Sequence, residues 1–131
     1  MSIEVAVVLD LERRPLFWHA PARATAVSLP DSRTLWDVLW ANRAAISGVA
    51  HSHPGTGEAL PSHEDLTTFA AVEAGLGRRL EWWIATADRV RCFAWSGPTR
   101  YAYSGRDAAS DRETAEWLAE LRARSRHGRA P

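Results

Sequence analysis

The sequence contains no lysine, one cysteine and no long apolar run. The last two features exclude particular kinds of site and protein. All sixteen cationic residues are arginines. Cys92 has no second cysteine with which it could form an internal disulfide or a CxxC metal site. No apolar segment approaches the roughly 18 to 20 residues that a membrane-spanning helix requires. We therefore expect a protein without internal disulfides or membrane-spanning helices.

The net charge and the first residues of the chain allow expectations about its binding partners and its cellular compartment. Sixteen basic residues offset sixteen acidic ones, so the formal net charge is zero. A neutral chain lacks the basic surface of a general nucleic-acid-binding protein, and we expect no nucleic-acid partner. No positive charge precedes an apolar run in the segment Met1-Ser2-Ile3-Glu4, so we expect no secretory signal. Together with the single cysteine, these features predict a cytoplasmic protein.

Runs of β-branched and apolar residues, separated by turn residues, predict a single α/β (α+β) domain over residues 1–131, with a frayed tail from about residue 125. Strands are expected at residues 4–10, 16–19, 25–29, 49–53, 80–86, 90–95 and 100–103. Helices are expected from an N-cap at Asp31 or Ser32 to a stop at Gly48, from Ser62 to Gly75 or Gly77, and over 111–126. In the last helix, the expected apolar stripe is Ala115, Leu118 and Leu121.

Residues with metal-binding chemistry lie between His51 and Asp65. On a strand, side chains two positions apart point to the same face, so the imidazoles of His51 and His53 can reach one point. Asp65, in the first turn of the next helix, adds an anionic oxygen ligand. Two imidazoles and a carboxylate suit Zn²⁺ in an open catalytic site. The pattern Ser62-x-x-Asp65 is also a capping box, which a helix can use without any metal.

His51-Ser52-His53-Pro54, followed after a loop by Ser62-His63-Glu64-Asp65, resembles the JAMM motif of the MPN+ (JAB/Mov34) zinc metallopeptidases of bacterial type. That motif consists of a Glu, a long gap, His-Ser/Thr-His-Pro, a loop and Ser-x-x-Asp. The resemblance extends from the first strand to the strand near Ala94. It implies one MPN/JAB domain, a cytidine-deaminase-like mixed β-sheet flanked by helices.

The resemblance also implies a role for each residue of the motif. Glu4, on the first strand, would be the general base, and Ser62 would stabilise the tetrahedral oxyanion. Glu58, in the loop, is a second candidate for the base, and His63 is expected to be a solvated residue at the helix start. One Zn²⁺ ion per chain would be bound by His51, His53 and Asp65.

The reaction that the resemblance implies is hydrolysis of an amide or isopeptide bond after the C-terminal Gly of a ubiquitin-like or sulfur-carrier protein. E1-like and E2-like enzymes of the same operon are further candidate partners, and no membrane partner is expected. The absence of lysine fits such a pathway, and it equally fits a GC-rich genome. An extended tail would add as a strand beside the zinc. Candidates for the groove wall, or for the core, are Trp36, Trp40, Trp82 and Trp83.

Two other functions remain open at the level of the sequence. The first is a non-catalytic MPN-type scaffold or binding module that keeps the ligand residues without turnover. The second is a DNA-associated role like that of the RadC relatives, whose motif reads His-Asn-His-Pro where this chain has Ser52.

Overall fold

Six strands and three helices are formed by residues 3–20 and 32–127, the part of the chain that the structure, a computed structural model, describes. The strands are β1 (Ala6–Asp10), β2 (Pro15–His19), β3 (Ile46–Ser52), β4 (Glu81–Ala85), β5 (Val90–Trp95) and β6 (Tyr103–Asp107). The helices are α1 (Ser32–Ala41), α2 (His63–Leu76) and α3 (Leu118–His127), with a 3₁₀ turn at Asp111–Glu113. Together they make a single small α+β domain with one mixed sheet.

The strands lie in the order β2-β1-β3-β4-β5-β6. Strands β3 and β4 are parallel, which requires the crossover through α2, and the other neighbouring strands are antiparallel. In β1, Ala6 pairs with His51 of β3 and with His19 of β2. The first strand therefore lies inside the sheet, between the edge strand β2 and the strand that carries the first histidine of the motif.

Apolar side chains cover both faces of the sheet, because helices pack on both sides. The two faces of the sheet carry two separate hydrophobic cores. Ala6 and Val8 point into the first core, whereas Val5, Val7 and Leu9 point into the second. The first core also contains residues of α1 and α2, such as Leu39 and Phe69, whereas the second contains Trp117 and Leu121 from the chain at α3. The continuous apolar run of the first strand is thus explained by burial on both faces.

Several predicted elements are confirmed by the structure. Strands β1, β2, β4 and β5 lie within or at the predicted ranges, and β5 has the predicted bounds. Helix α2 begins after Ser62, its N-cap, and ends at Gly77, whose φ of 72° suits a residue without a side chain. The predicted strand at 25–29 and the predicted N-cap at Asp31 lie outside the described residues.

The predicted stop of the first helix at Gly48 is wrong, because α1 ends at Ala41 and Gly48 lies inside β3. The backbone N–H of Asn42 still donates to the carbonyl of Val38, as does its side-chain amide, but the next N–H, that of Arg43, donates to Trp40, three residues back, so the α-helical bonding ends there. Ile46 is fully buried in the sheet. A Cβ on Gly48 would lie 1.8 Å from the carbonyl oxygen of Glu81, so this glycine permits the close approach of β3 and β4.

The predicted strand at 100–103 is displaced, because β6 begins only at Tyr103. Residues 96–102 form the turn, in which the backbone N–H of Ser96 donates to the carbonyl of Ala102 over 2.8 Å. The indole N–H of Trp95 donates to the carbonyl of Thr99 within the same turn. A longer turn, stabilised by its own hydrogen bonds, thus replaces the short turn expected at Ser96-Gly97-Pro98.

The predicted helix over 111–126 is divided into the 3₁₀ turn and α3, and its predicted apolar stripe is only partly correct. Ala115 is exposed, whereas Trp117 and Leu121 are buried. Trp117 packs edge-on against Trp83, and its indole N–H donates to the carbonyl of Glu113. Helix α3 continues to His127 and its Ser125 is buried, so the chain is ordered past the point where fraying was expected.

The tryptophans of β4 belong to the core rather than to a groove wall. Trp82 and Trp83 are neighbours in β4 and therefore point to opposite faces, where each is buried in a different core. Trp36 and Trp40 stack on each other along α1, and Trp40 is exposed. Among the residues that the structure describes, no helix is long and apolar enough to cross a membrane.

A network of ion pairs joins the sheet to the 3₁₀ turn on the side of the second core. Glu113 accepts two hydrogen bonds of 3.0 Å from the guanidinium of Arg106 and also lies 3.3 Å from that of Arg13. Arg13 in turn forms a two-pronged pair with Glu81. Arg106, with the N–H of Ala109, lowers the pKa of Glu113 from 4.5 to about 2.

We predict that Glu113 stabilises the fold at neutral pH but not in acid. Because its pKa is lower in the folded state, its stabilising effect is complete above the ordinary value of 4.5 and is lost as the pH falls toward about 2. Urea unfolding should show Glu113→Gln less stable than wild type at pH 7, with the difference shrinking at pH 2. Glu120→Gln, which removes an exposed pair with Arg124, should differ little from wild type at either pH.

Candidate metal centre

Two imidazoles converge where β3 ends. His51 is the sixth residue of this strand, and the backbone N–H of His53, just beyond it, still donates to the carbonyl of Ala85 at the end of β4. This bond holds His53 in line with the strand, so both rings lie on the same face. Their Nε2 atoms are 3.0 Å apart. Two nitrogens at this distance can share one proton or ligate one metal ion.

Asp65 reaches the same point from the first turn of α2. One of its carboxylate oxygens, Oδ1, lies 3.5 Å from the Nε2 of His51, and the other, Oδ2, lies 3.1 Å from the Nε2 of His53. Ligands placed about 2.0 to 2.1 Å from a tetrahedral zinc ion are roughly 3.3 Å from one another. The contacts within this group lie near that value, although those of Asp65 use its two different oxygens, and one ligand atom from each of the three residues lies within 4.8 Å of the others, so together they could hold one ion.

The capping box expected from the sequence is also present. The side chain of Ser62 accepts a hydrogen bond of 3.1 Å from the N–H of Asp65, and the Asp65 carboxylate accepts one of 2.8 Å from the N–H of Ser62. The cap holds the carboxylate in one orientation at the helix N-terminus, where the helix dipole favours a negative charge. The capping and metal interpretations of Asp65 are therefore compatible, since one orientation serves both.

The charge of the group suits a cation. Burial raises the pKa of Asp65, but the hydrogen bonds from His51 and His53, the charge of His51 and the N–H of Ser62 outweigh burial and hold this pKa well below its usual range. The carboxylate is therefore ionised at neutral pH. His51, His53 and Asp65 form a group that is geometrically able to hold a metal ion within the described part of the chain.

The loop of residues 54–61 is held against the turn between β4 and β5. The N–H of Gly57 donates to Asp88 over 3.1 Å, and the hydroxyl of Thr86 donates to the carbonyl of Gly57. The N–H of Ala87 donates to the carbonyl of Gly55. Gly55 and Gly57 have φ values of 105° and 102°, which residues with a Cβ rarely adopt. These bonds fix the path that returns the chain from His53 to the start of α2.

Glu4 lies on the same side of the sheet as the two histidines. Ala6 pairs with His51, and continuing this antiparallel register by two residues places Glu4 opposite His53. Burial raises the pKa of Glu4, and the charges of His51 and His53 oppose this effect without cancelling it. A half-buried carboxyl with a raised pKa next to a candidate metal site has the properties of a proton acceptor and donor.

The other candidate residues lie at the rim. Ser62 is exposed at the N-cap of α2, and Glu58 is exposed on the loop. His63 is exposed as expected, and its ring contacts Tyr101 edge-on. The structure therefore brings Glu4, rather than Glu58, into register with the histidines.

Sequence reasoning missed the residues that support the site from behind. Phe69 of α2 packs edge-on against His51 and stacks on Trp82 at 4.3 Å. Ser52 and Ser125 hold the backbone around Glu4. The spacing from Ser62 to Phe69 already places Phe69 two turns into the helix, but nothing in the sequence links Ser125 to the first strand. Ser125 and Ile3 are far apart in the sequence and come into contact only in the folded chain.

A scan against protein-family models finds no match to this chain, and a search of curated proteins finds none that matches it. The resemblance to the MPN+ metallopeptidases therefore depends on the motif residues themselves.

We predict that Asp88 supports the metal site without ligating it. In Asp88→Ala, the N–H of Gly57 loses its acceptor, so amide hydrogen exchange at Gly57 should rise and the loop should hold Asp65 less firmly. Loss of such an outer support should weaken Zn²⁺ binding about tenfold, as measured by competition with a chelator. Asp107→Ala, at an exposed carboxylate on β6, is the control and should bind as wild type does. Faster amide hydrogen exchange at Gly57 with unchanged Zn²⁺ affinity would show that the loop does not affect metal binding.

Proposed function

We propose that this chain is a zinc-dependent peptidase or isopeptidase of the MPN/JAB type. The observation that carries the proposal is the convergence of His51, His53 and Asp65 at ligand spacing, with Glu4 two residues before the adjoining strand β1. A tetrahedral zinc site with three protein ligands and an open position is the usual arrangement of a hydrolytic enzyme.

The fold is consistent with this proposal. The resemblance implies a mixed sheet flanked by helices, and the chain has a six-stranded mixed sheet with α1 and α2 on one face and α3 on the other. The motif residues lie on the central strand β3 and at the start of α2, which the parallel crossover places at the same end of the sheet.

Zinc, when bound by these ligands, lowers the pKa of water to about 7 and polarises a carbonyl oxygen. The chain supplies the ligand charge. The Asp65 carboxylate, held ionised by its hydrogen bonds, would offset one of the two positive charges of a bound zinc ion. The metal side of the site therefore needs no further acidic ligand.

Glu4 moves the proton. Continuing the register of β1 with β3 by two residues places Glu4 opposite His53, and the residue is half-buried. Because burial raises its pKa above the ordinary carboxyl value, the carboxylate can accept a proton from the attacking water and then donate it to the leaving amine. The two transfers use one carboxyl in succession, so a single residue serves as base and as acid.

Ser62 stabilises the developing negative charge. Its Oγ accepts the N–H of Asp65 and so keeps its own proton available for donation. Since the hydroxyl is at the helix N-terminus, that proton and the helix dipole act on the same oxyanion. One well-placed donor of this kind contributes about 3 to 4 kcal/mol to transition-state stabilisation.

Access to the site favours a slender substrate. The side chains of His51, Asp65 and His53 are only 10%, 20% and 23% exposed. A peptide that reaches these atoms must have small side chains next to the scissile bond, as the C-terminal glycine tail of a ubiquitin-like or sulfur-carrier protein has. We therefore propose such a tail as the substrate, bound in extended form.

One observation favours a second candidate, a non-catalytic scaffold. The capping box accounts for both Ser62 and Asp65 without a metal. In that case Asp65 would stabilise α2 only, and the imidazoles would serve as hydrogen-bond partners of its carboxylate. Metal binding separates the two candidates.

We predict that the purified protein binds about one Zn²⁺ per chain and that Asp65→Ala abolishes this binding. Ser62→Ala is the matched control, because it removes the other half of the capping box and no ligand. It should keep the zinc while lowering the free energy of unfolding by about 1 kcal/mol. Metal analysis after dialysis, together with urea unfolding, measures both quantities. A wild-type protein without zinc, or zinc retained in Asp65→Ala, would favour the scaffold.

We predict that Glu4→Gln keeps the zinc and loses turnover. The amide has nearly the same shape as the carboxyl but cannot accept the proton, so kcat should fall by about 10² to 10⁴. The assay is release of aminomethylcoumarin from a ubiquitin-like protein carrying this amine on its C-terminal glycine. Glu58→Gln, an exposed carboxyl on the loop, should retain wild-type kcat. The reverse result would assign the proton transfer to Glu58.

A further inference from the structure

We propose that Ser52 and Ser125 form a clamp that positions Glu4, and that helix α3 thereby controls turnover at the site. Neither serine would touch the substrate, so both are positioning residues. The inference rests on the function proposed above, since it assigns Glu4 the proton transfer. The clamp lies on the face of the sheet opposite to the candidate metal ligands.

Ser52 holds the chain on both sides of Glu4. Its side chain accepts a hydrogen bond of 2.9 Å from the N–H of Val5, and it lies 3.3 Å from the carbonyl oxygen of Ile3, to which it can donate. The backbone N–H of Ser52 donates to the carbonyl of Val5. Because Ser52 stands between the two histidines on a strand, its side chain points to the face opposite to theirs.

Ser125 completes the clamp from α3. Its hydroxyl donates to the carbonyl of Ile3 over 2.6 Å, and its own carbonyl accepts the N–H of Ile3 over 2.9 Å. The bond joins residues 122 positions apart in the sequence. Ser52 and Ser125 are 3% and 6% exposed, so water competes little for these groups.

Glu4 depends on these bonds because it lies outside the regular sheet. Strand β1 begins at Ala6, so the ladder with β3 does not itself include residues 3–5. The clamp fixes the peptide groups on both sides of Glu4, and this fixes the direction of its side chain toward the face of His51 and His53. A displacement of about 1 Å at a proton-transfer group can reduce the rate by about 10².

A purely structural role for the serines predicts a different result. If they only tied the chain to α3, removing a hydroxyl would lower stability and leave kcat and the zinc affinity of the folded protein unchanged. If they supported the whole centre, zinc affinity and kcat would fall together. A clamp on Glu4 alone predicts a loss of kcat at constant zinc affinity, because the ligands are held by β3, α2 and the loop.

The experiment compares the zinc-loaded full chain with the variants Ser52→Ala, Ser125→Ala and Ser52→Thr. Thr114→Ala is the matched control, since it removes a buried hydroxyl near α3 that donates to the carbonyl of Asp111. The measurements are kcat and KM for the aminomethylcoumarin substrate, the Zn²⁺ dissociation constant, and amide hydrogen exchange at Val5.

Both alanine variants should lose about tenfold to a hundredfold in kcat, with KM and the zinc dissociation constant within twofold of wild type. Ser52→Thr keeps the hydroxyl and suits a strand, so it should recover most of the activity. Exchange at Val5 should rise in Ser52→Ala and remain unchanged in Thr114→Ala. If Ser52→Ala does not fold, the result for Ser125→Ala decides whether the clamp exists, because this substitution lies on α3 and leaves the pairing of β3 intact.

The clamp is refuted if kcat of the folded alanine variants stays within twofold of wild type, or if kcat and zinc affinity fall in parallel. Failure of the proposed function looks different. In that case the wild-type protein itself lacks zinc or activity, whereas the exchange measurement still reports whether the serines hold the segment around Glu4.

Discussion

The antiparallel pairing of β1 with β3 is the constraint on which the rest of the structure depends. Its register places Ala6 beside His51, and therefore Glu4 beside His53. A slip of one residue would turn the histidines or Glu4 to the opposite face of the sheet, because side chains alternate along a strand. The burial of β1 on both faces prevents such a slip, since Val7 and Val8 are each fitted into a separate core.

Asp65 connects the stability of α2 to the chemistry of the centre. Its carboxylate satisfies a backbone donor at the helix N-terminus and faces two imidazoles. A buried carboxylate normally destabilises a fold unless partners compensate for its desolvation. Here the compensating partners are the cap and the histidines. The orientation that caps the helix is thus also the one that the proposed metal site would use.

The sequence predicted the centre better than it predicted the ends of the elements around it. The spacing of His51, His53 and Asp65 specifies local geometry on a strand and a helix cap, and local geometry can be derived from neighbouring residues. The end of α1 could not be derived, because the apolar residues at 45–50 suit a helix and a buried strand equally well. Only the contact of Gly48 with the backbone of Glu81 decides between them. The bond from Ser125 to Ile3 was invisible for the same reason, since it joins the two ends of the chain.

The proposed site consists of two halves that share one residue. The half with the candidate ligands consists of β3, the loop bound by Asp88 and the cap of α2, all of which lie between residues 46 and 88. The half with the proposed proton-transfer group is Glu4, whose flanking residues are held by Ser52 and Ser125. Ser52 belongs to both halves, because it lies between the two histidines and bonds to the residues that flank Glu4, whereas Ser125 lies on α3 and bonds only to the second half. Under the proposed function, a change at α3 would therefore alter turnover and leave metal affinity unchanged.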